Sequence, residues 1–322
     1  MRYRKLGASG PEISVVGVGS WAMGGPYTGG GWGPQDDDDS LAALRHAVDL
    51  GVTWVDTAAV YGHGHAEEVV GRLLRDRPET LVFTKCGLNW WENEDGELVN
   101  DLRPQSIRFE LEQSLKRLGT DHVDLYQFHW PDTIATPVED SWATMAELVD
   151  EGKVRWAGVS NFDVDLLERC QRVRHVDSLQ PPFSLIDRRA AGDLLPWCAA
   201  NGTGVICYSP MQSGLLTGTF DRSRLANLPA DDWRRTSPEF QEPALSRNLA
   251  LAGRLEPVAE RHGVTVAAVA VAWVTAQAGV TGAIVGARRP SQVDGWIAAG
   301  DLELTEADLA ELEAAIRETG AG

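Results

Sequence analysis

Four polar residues that could do acid–base chemistry together stand at or just beyond the ends of three short apolar runs. Asp56 ends the first run and Tyr61 follows five residues later, while Lys85 and His129 end the next two. In a barrel of alternating strands and helices, the carboxyl ends of the strands meet at the face where catalysis occurs. There the Lys would lower the pKa of the phenol, the Asp would keep the Lys charged, and the His would orient a carbonyl oxygen.

Taken singly, each of these residues also has a structural interpretation. Asp56 could close its strand as a turn residue, Tyr61 could be an amphipathic rim residue, and His129 could be structural. Lys85 is harder to explain in this way, because the chain has only four lysines against 25 arginines. Lys is a compact charge whose pKa moves easily, whereas Arg is a fixed planar fork. The four residues at successive strand ends therefore indicate a proton-donating unit.

Eight strand-like runs alternate with helix-like stretches along the chain. This alternation implies a parallel sheet, and eight units predict an α/β protein with a closed (β/α)₈ TIM barrel. The short N-terminal segment before the first strand is expected to cap the barrel. The predicted strands are Ser14–Val18, Val52–Thr57, Leu81–Cys86, Val123–His129, Val154–Ser160, Ser178–Gln180, Gly204–Ser209 and Gly282–Gly286.

Helix signals separate these strands. Ser40 predicts the N-cap of a helix that runs to Leu50, and Pro104 opens a helix that stops before Gly119. Further helices are predicted at Ala66–Leu74, Val138–Glu151, Val164–Val173, Leu194–Asn201 and Gln292–Ala299. About 75 residues separate the last two strands, far more than an ordinary connection. This long loop after strand 7 is predicted to hold a polar segment, Met211–Arg247, and two helices, and to serve as a lid or ligand clamp.

The composition favours a single domain over residues 1–322, since no linker-like stretch divides the chain. The formal charge of −18 would repel nucleic acid and anionic membranes, so an anionic ligand needs a local basic patch. The four cysteines have no metal-ligand spacing and are expected to be reduced thiols. There is no apolar signal-peptide core at the start, and a cytoplasmic protein is expected.

Two other patterns suggest different functions. Gly17-Val18-Gly19-Ser20-Trp21-Ala22 matches the glycine fingerprint of a dinucleotide-binding βαβ unit, but the Gly-rich segment after it should not form the required helix. His63-x-His65 could bind a metal with His129 in a barrel hydrolase. The Gly-rich turn around this pair and the lack of a later suitable His argue against a metal, and none is expected.

The order of the motifs resembles the aldo-keto reductase family over nearly the whole chain. In detail it looks closest to the bacterial branch that includes general-stress and inositol-utilisation reductases. The segments that carry the resemblance are Asp56–Ala58 with Tyr61-Gly62, Glu67–Gly71, Ser114–Tyr126, Gly158–Phe162, Gln180, Tyr208–Met211 with Gly214–Gly218, and Ile284–Arg288.

The resemblance implies an NAD(P)H-dependent oxidoreductase in which Asp56, Tyr61, Lys85 and His129 are catalytic and NADPH is the cofactor. It leaves open a regulatory subunit of the same fold that binds the cofactor with only incidental turnover. The family usually has Asn where this chain has Trp296. The residues expected to bind the cofactor are Trp21, Asp56, Ser160, Asn161, Gln180, Tyr208, Ser209, Pro210, Met211, Ser213, Leu215, Gly286, Ala287, Arg288 and Gln292.

The chemistry of these segments suits that cofactor. Ser160, Asn161 and Gln180 offer hydroxyl and amide groups to a carboxamide, and Tyr208 can lay its ring on the nicotinamide. The small residues of Ser209–Gly218 let backbone N–H groups approach a pyrophosphate. Arg288 with Arg289 could hold a ribose 2′-phosphate, although two neighbouring arginines could also be a solvated surface pair.

Aromatic residues beyond the predicted strand ends should form the substrate site. Such walls favour an apolar aldehyde or ketone or the face of a sugar ring, so the expected partner is a small carbonyl compound or sugar. The sequence does not identify the substrate further. The residues expected to contact it are Trp21, Trp32, Trp90, Trp91 and Trp130.

Overall fold

Eight parallel strands, β1–β8, close into a barrel in chain order in the computed structural model, which describes residues 1–27, 31–91, 97–230 and 232–321. The last strand pairs with the first, so the barrel has no open edge. The predicted (β/α)₈ barrel is thus confirmed. The strands are β1 Val16–Gly19, β2 Trp54–Asp56, β3 Leu81–Cys86, β4 Val123–Phe128, β5 Val154–Ser160, β6 Ser178–Gln180, β7 Gly204–Cys207 and β8 Gly282–Gly286.

The inward-facing residues of the strands form an apolar layer in the barrel interior. This layer contains Trp54, Phe83, Leu125, Ile206 and Ile284, all buried. Side chains two residues apart on a strand point to the same face. The next inward positions toward the carboxyl ends therefore form a second layer, and that layer is mainly polar: Asp56, Lys85, Gln127, Tyr208 and Gly286.

The antiparallel strands Tyr3–Lys5 and Glu12–Ser14 form a hairpin that closes the opposite end of the barrel. Leu6 and Ile13 of this hairpin pack into the apolar interior layer. At the hairpin turn Gly7 has φ +62°, and a Cβ there would lie 2.5 Å from the Gly204 backbone nitrogen. The expected N-terminal cap is confirmed, and it closes the barrel at the amino ends of the strands, opposite their carboxyl ends.

Helices surround the barrel and bury a larger apolar cluster between themselves and the strands. Within the described residues they are α1 Asp37–Asp49, α2 His65–Asp76, α3 Pro104–Leu118, α4 Val138–Asp150, α5 Val164–Val173, α6 Leu194–Asn201, α7 Arg222–Ala226, α8 Ala244–Arg254, α9 Glu256–His262, α10 Val266–Ala276, α11 Pro290–Asp294 and α12 Glu306–Thr319. None of these helices has the length and apolar content needed to cross a bilayer.

The start of α1 differs from the prediction. Asp36, not Ser40, is the N-cap, because its backbone is extended and its carboxylate accepts from the N–H groups of Asp38 and Asp39 at 2.8 and 3.1 Å. Ser40 lies one turn inside the helix and donates its hydroxyl to the Asp36 carbonyl at 2.9 Å. A carboxylate at the first turn also complements the helix dipole, which favours the earlier start.

The connection between β7 and β8 contains more helix than predicted. The expected polar loop holds short 3₁₀ turns and α7, and α8 already begins at Ala244. Three helices, α8 to α10, complete the connection. The helix predicted at Gln292–Ala299 is instead divided into α11 and a 3₁₀ turn at Ile297–Gly300.

The glycine fingerprint after β1 does not open a dinucleotide-binding helix. A 3₁₀ turn, Trp21–Met23, follows the strand, and α1 begins only at Asp37. The described residues between them contain no helix. The described residues therefore agree with the prediction that this pattern does not open a dinucleotide-binding βαβ unit.

Candidate active site

Lys85 connects the acidic and phenolic members of the predicted catalytic set. Its Nζ lies 2.5 Å from Asp56 Oδ1, 2.9 Å from the Thr57 carbonyl oxygen and 3.4 Å from the Tyr61 hydroxyl. The ammonium also lies 5.1 Å from the centre of the Tyr61 ring. Asp56 is contributed by the end of β2, Lys85 by β3, and Tyr61 by the turn after β2. The ammonium thus sits between the carboxylate and the phenol, as the spacing predicted.

His129 lies against the other side of Tyr61. The two rings meet edge to face with centroids 5.6 Å apart. The backbone fixes the position of His129, since its N–H donates to the Cys86 carbonyl at 2.9 Å and its carbonyl accepts from Asn161 Nδ2 at 2.9 Å. The structure therefore brings all four residues together at the carboxyl ends of β2, β3 and β4.

Burial dominates the electrostatics of this group. It raises the pKa of Tyr61 well above its usual value, and the charge of Asp56 raises it further. Burial likewise raises the pKa of Asp56 and lowers that of Lys85, while their mutual contact opposes both shifts. Burial and the Lys85 charge lower the pKa of His129 well below its usual range. At neutral pH the phenol consequently keeps its proton and the imidazole is neutral. The expected lowering of the phenol pKa by Lys85 is thus not observed, because burial and the Asp56 charge both raise it.

A cavity of about 550 Å³ opens above these residues. Asp56, Tyr61 and His129 line it, whereas Lys85 lies beneath them and is 1% exposed. Every residue of the expected cofactor set lines the cavity except Leu215. Leu215 is fully buried in the apolar core, because it faces inward from the 3₁₀ segment Gln212–Thr217.

The end of the cavity nearest the catalytic residues carries an ordered set of amides and hydroxyls. Tyr208 donates its hydroxyl to Asn161 Oδ1 at 2.8 Å, and Asn161 Nδ2 is 3.1 Å from Ser160 Oγ. Ser160 in turn donates to the Gln180 carbonyl at 2.8 Å. Asn161 holds φ at +62°, a conformation that Asn adopts more readily than most residues and that turns its amide toward this network. Such groups suit a carboxamide-bearing planar ring.

The segment after β7 suits a pyrophosphate. Ser209, Gln212, Ser213 and Gly214 all have positive φ, between 44° and 107°. Clustered left-handed residues turn successive backbone N–H groups toward a common concavity that favours anions. Gly286, at the end of β8, has nothing within 4 Å of an added Cβ position and lines the same cavity. These features fit a dinucleotide cofactor with its nicotinamide end beside Tyr61.

Arg288 is held by the segment that precedes α1. Its Nε donates to Gln35 Oε1 at 2.5 Å, Nη1 donates to the Trp32 carbonyl at 3.3 Å, and Nη2 to the Pro34 carbonyl. Gln35 returns a hydrogen bond to the Arg288 carbonyl at 2.9 Å. The neighbouring Arg289 is exposed. The pair thus divides into an arginine that ties two loops together and one that is open to solvent.

Two indoles, Trp21 and Trp32, line one side of the cavity, and a third, Trp233, packs against both. Trp21 stacks on Trp233 at 5.9 Å between centroids, and Trp32 meets both rings edge to face, at 5.3 and 5.7 Å. The Arg234 guanidinium lies 4.6 Å from the centre of the Trp32 ring. Sequence reasoning missed Trp233 and Arg234, because both come from the irregular connection between β7 and β8, where no periodic pattern indicated their position. We refer to Trp21, Trp32 and Trp233 as the indole cluster.

The remaining aromatic residues divide between the cavity and the surrounding structure. Trp130 lines the cavity, as expected of a substrate contact. Trp90 and Trp91 are not among its lining residues: Trp90 stacks on His63 at 5.1 Å, and Trp91 packs against Trp90 and Phe109. Because both indoles pack against other rings and neither lines the cavity, the structure does not support the substrate role expected for them.

The three histidines that could have bound a metal ion each contact a different partner. His63 is occupied by its stack on Trp90, and His65 Nε2 is 2.7 Å from Asp37 Oδ1 on α1. His129 packs against Tyr61. Within the described parts of the chain, no group of three or more His, Cys, Asp or Glu side chains is arranged to hold a metal ion.

Comparisons with known proteins agree with this geometry. The model of the aldo/keto reductase family matches residues 15–317. The chain is 37% identical to aldo-keto reductase YhdN of Bacillus subtilis, over 91% of this chain and 87% of the relative. It is 33% identical to the NADH-specific methylglyoxal reductase of Escherichia coli, over 96% of each. The structure of glycerol dehydrogenase AKR11B4 from Gluconobacter oxydans superposes with a TM-score of 0.89 at 37% identity, covering 99% of this chain and 96% of the other.

Proposed function

Because this chain belongs to the aldo/keto reductase family, whose members are nicotinamide-dependent oxidoreductases of carbonyl and alcohol groups, we propose that it interconverts an aldehyde or ketone and its alcohol with NADPH, using Tyr61 as proton donor. The observation that carries the proposal is the position of the Lys85 ammonium, 2.5 Å from the Asp56 carboxylate and 3.4 Å from the Tyr61 hydroxyl, at the floor of the cavity.

Each residue has a defined part in the reduction. Asn161, Gln180 and Tyr208 would hold a reduced nicotinamide, which would supply the hydride for the carbonyl carbon. Tyr61, protonated because desolvation raises its pKa, donates its proton to the carbonyl oxygen. Lys85 stabilises the phenolate that remains, and Asp56 holds Lys85 in place. His129, as a neutral imidazole, donates a hydrogen bond that fixes the carbonyl oxygen.

The preference for NADPH rests on local positive charge. The chain as a whole carries −18, so a phosphorylated cofactor needs a basic patch. Arg224, Arg234 and Arg288 line the cavity, and Arg289 is exposed next to Arg288. A guanidinium fork suits a ribose 2′-phosphate, which NADPH carries and NADH lacks. The proposal differs here from the Escherichia coli relative, whose name specifies NADH.

The proposed substrate is a small carbonyl compound or a sugar. The cavity beyond Tyr61 is bounded by Trp21, Trp32 and Trp130, whose ring faces suit an apolar carbonyl compound or a sugar ring. The names of two relatives refer to methylglyoxal, which is a small dicarbonyl compound, and to glycerol, a small alcohol whose oxidation gives a carbonyl compound. We also propose that the chain belongs to the bacterial branch that includes the general-stress and inositol-utilisation reductases. The motifs of the sequence suggest this branch, and the 37% identity with the Bacillus subtilis protein supports a bacterial relationship.

The test is the removal of the proton donor. Tyr61→Phe keeps the ring but deletes the hydroxyl, so single-turnover hydride transfer should slow by about 10²–10⁴-fold. Lys85→Met should be comparably slow, because the developing phenolate loses its positive neighbour. The affinity for NADPH should hardly change in Tyr61→Phe.

A matched control is Tyr126→Phe. Tyr126 is buried on β4, donates to the Ile107 carbonyl at 3.4 Å and does not line the cavity. Its replacement should leave turnover near normal. Near-normal hydride transfer in Tyr61→Phe would overturn the assignment. A wild type that bound NADPH but reduced nothing in a broad screen of carbonyls and sugars would instead support a regulatory subunit.

A further inference from the structure

Gln127 carries a buried amide in the same interior layer as Asp56 and Lys85, which we call the catalytic pair. Gln127 lies on β4 directly opposite Lys85 of β3, and it is fully buried. Leu125, two residues earlier, points into the apolar layer below, so strand alternation turns Gln127 inward as well. Gln127 does not line the cavity. Any effect on catalysis must therefore pass through neighbouring side chains.

Its oxygen and nitrogen have different surroundings. Gln127 Oε1 accepts from Gln180 Nε2 at 3.3 Å, and the same Gln180 nitrogen donates to Asp56 Oδ2 at 2.9 Å. Gln127 Nε2 has no hydrogen-bond partner among the described residues. A buried donor without a partner loses its hydrogen bonds to water and gains none in return. An amide at this point is thus a costly choice compared with Leu or Met.

The barrel makes room for this side chain. Gly158 lies opposite Gln127 on β5, and a Cβ at that glycine would come within 3.1 Å of Gln127 Cγ. The same Cβ would lie 2.9 Å from the Ser178 carbonyl oxygen on β6. The glycine leaves space for the longer side chain to extend across the layer toward Gln180 and Asp56.

We propose that Gln127 is a positioning residue for Asp56 and Lys85: its Oε1 holds the Gln180 amide so that Gln180 Nε2 donates to the Asp56 carboxylate. This inference rests on the proposed reductase function, because it assigns a role to the support of Asp56. Asp56 Oδ1 is held by Lys85 and Oδ2 by Gln180. Gln127 fixes the direction of the second contact and so keeps the carboxylate aimed at Lys85.

The charges around the pair agree with this role. Burial raises the pKa of Asp56, whereas Lys85, Gln180 and Gln127 each lower it. The other titratable groups that face the pair are Tyr61, His129 and Glu67; Glu67 lies on α2 and raises the pKa of Lys85. Without the amide, the Asp56 anion is less favourable and Lys85 loses part of its support as pH falls.

The test is a pair of substitutions of similar shape. Gln127→Met fills the same space without hydrogen bonds, and kcat at neutral pH should fall about tenfold, because the hydrogen bond that orients the Gln180 amide toward the charged Asp56 is lost. The acid limb of the kcat–pH profile should move to higher pH, and the KM for NADPH should stay within about twofold. Gln127→Glu keeps the acceptor but places a second carboxyl beside Asp56, and it should move the acid limb further.

Ser178→Ala is the matched control. Ser178 is buried on β6, two strands away from Gln127, and its hydroxyl has no hydrogen-bond partner among the described residues. Its replacement should change neither kcat nor the pH profile. If Gln127→Met or Gln127→Glu folds and retains the wild-type kcat and acid limb while Tyr61→Phe is inactive, the inference is overturned and the reductase function stands. If Tyr61→Phe is itself active, the reductase function fails first.

Discussion

Tyr61, Lys85 and Asp56 show how a residue's surroundings set its chemistry. The sequence suggested that a nearby ammonium would make the phenol more acidic. In the structure Tyr61 is half-buried at the floor of the cavity, and its desolvation there raises the pKa of the phenol and keeps its proton bound. A phenol that stays protonated is well suited to donate in the reductive direction. The charge of Lys85 then matters most after the proton has left, when a phenolate must be stabilised in a cavity of low polarity.

A residue-scale prediction concerns the two arginines after β8. Because Arg288 is engaged by Gln35 and two carbonyl groups, we expect the exposed Arg289 to contact the 2′-phosphate. Arg289→Ala should then weaken NADPH binding by about 10- to 150-fold, because this charge-assisted contact is lost. NADH binding should be unaffected. Arg288→Ala should weaken both cofactors, because Arg288 also holds the segment around Gln35 in place.

Calorimetric titration of both cofactors with both variants decides this assignment. Equal wild-type dissociation constants for NADPH and NADH would refute the proposed preference. Equal losses for the two cofactors in Arg289→Ala would remove that residue from the phosphate site.

The positions of the proposed catalytic residues could be predicted because Asp56, Lys85 and His129 end apolar runs, which fixes their place in a parallel barrel without any tertiary information. Tyr61 follows the first of these runs by only five residues. Gln127 could not be identified in this way, since its side chain has a role only through Gln180, which is 53 positions away along the chain. The signal was nevertheless present: Gln127 occupies an inward position of β4, two residues after Leu125. A polar residue at an inward strand position indicates a partner inside the barrel.

At the scale of elements, regular segments were predicted better than irregular ones. The bounds of α5 and α6 match the prediction at both ends, because Asp163 caps the first and Gly202 follows the second. The connection between β7 and β8 was described less well. Its short 3₁₀ turns have no periodicity to detect, and packing against the indole cluster and the barrel decides their course.

The packing of α3 on the barrel gives an element-scale prediction. Glu110 on this helix is 1% exposed, accepts from the Gly87 N–H at 2.9 Å and leaves Oε2 without a hydrogen bond among the described residues. Burial raises its pKa from the usual 4.5 to about 8. Below its usual pKa both the folded and unfolded states hold the proton. Between these two values only the unfolded state releases it, so the free energy of unfolding falls as pH rises.

Glu110→Gln should therefore stabilise the protein at pH 8 and have little effect near pH 4.5. Thermal unfolding across this range should show the midpoints of variant and wild type diverging by a few degrees as pH increases. Glu112→Gln, an exposed position on the same helix, is the control and should show no such divergence. Parallel curves for Glu110→Gln and wild type would contradict the raised pKa.

At the scale of the whole molecule, we propose that the chain is one domain. The barrel closes on itself, the N-terminal hairpin seals one end, and the cluster between strands and helices includes residues from both halves of the chain. Calorimetry should show one cooperative unfolding transition, shifted upward as a whole by saturating NADPH, because the ligand binds only the folded state. Two transitions, of which only one responded to NADPH, would indicate separate domains.

The indole cluster also has an optical consequence. Three of the chain's twelve tryptophans lie against one another beside the cavity. Excitation energy absorbed by any of them can pass among the closely spaced rings and then to a reduced nicotinamide bound within the same cavity, whose absorption overlaps indole emission. Binding of the reduced coenzyme should therefore quench the tryptophan fluorescence and increase the emission of the bound nicotinamide. The enzyme would then report its own ligand without any added label.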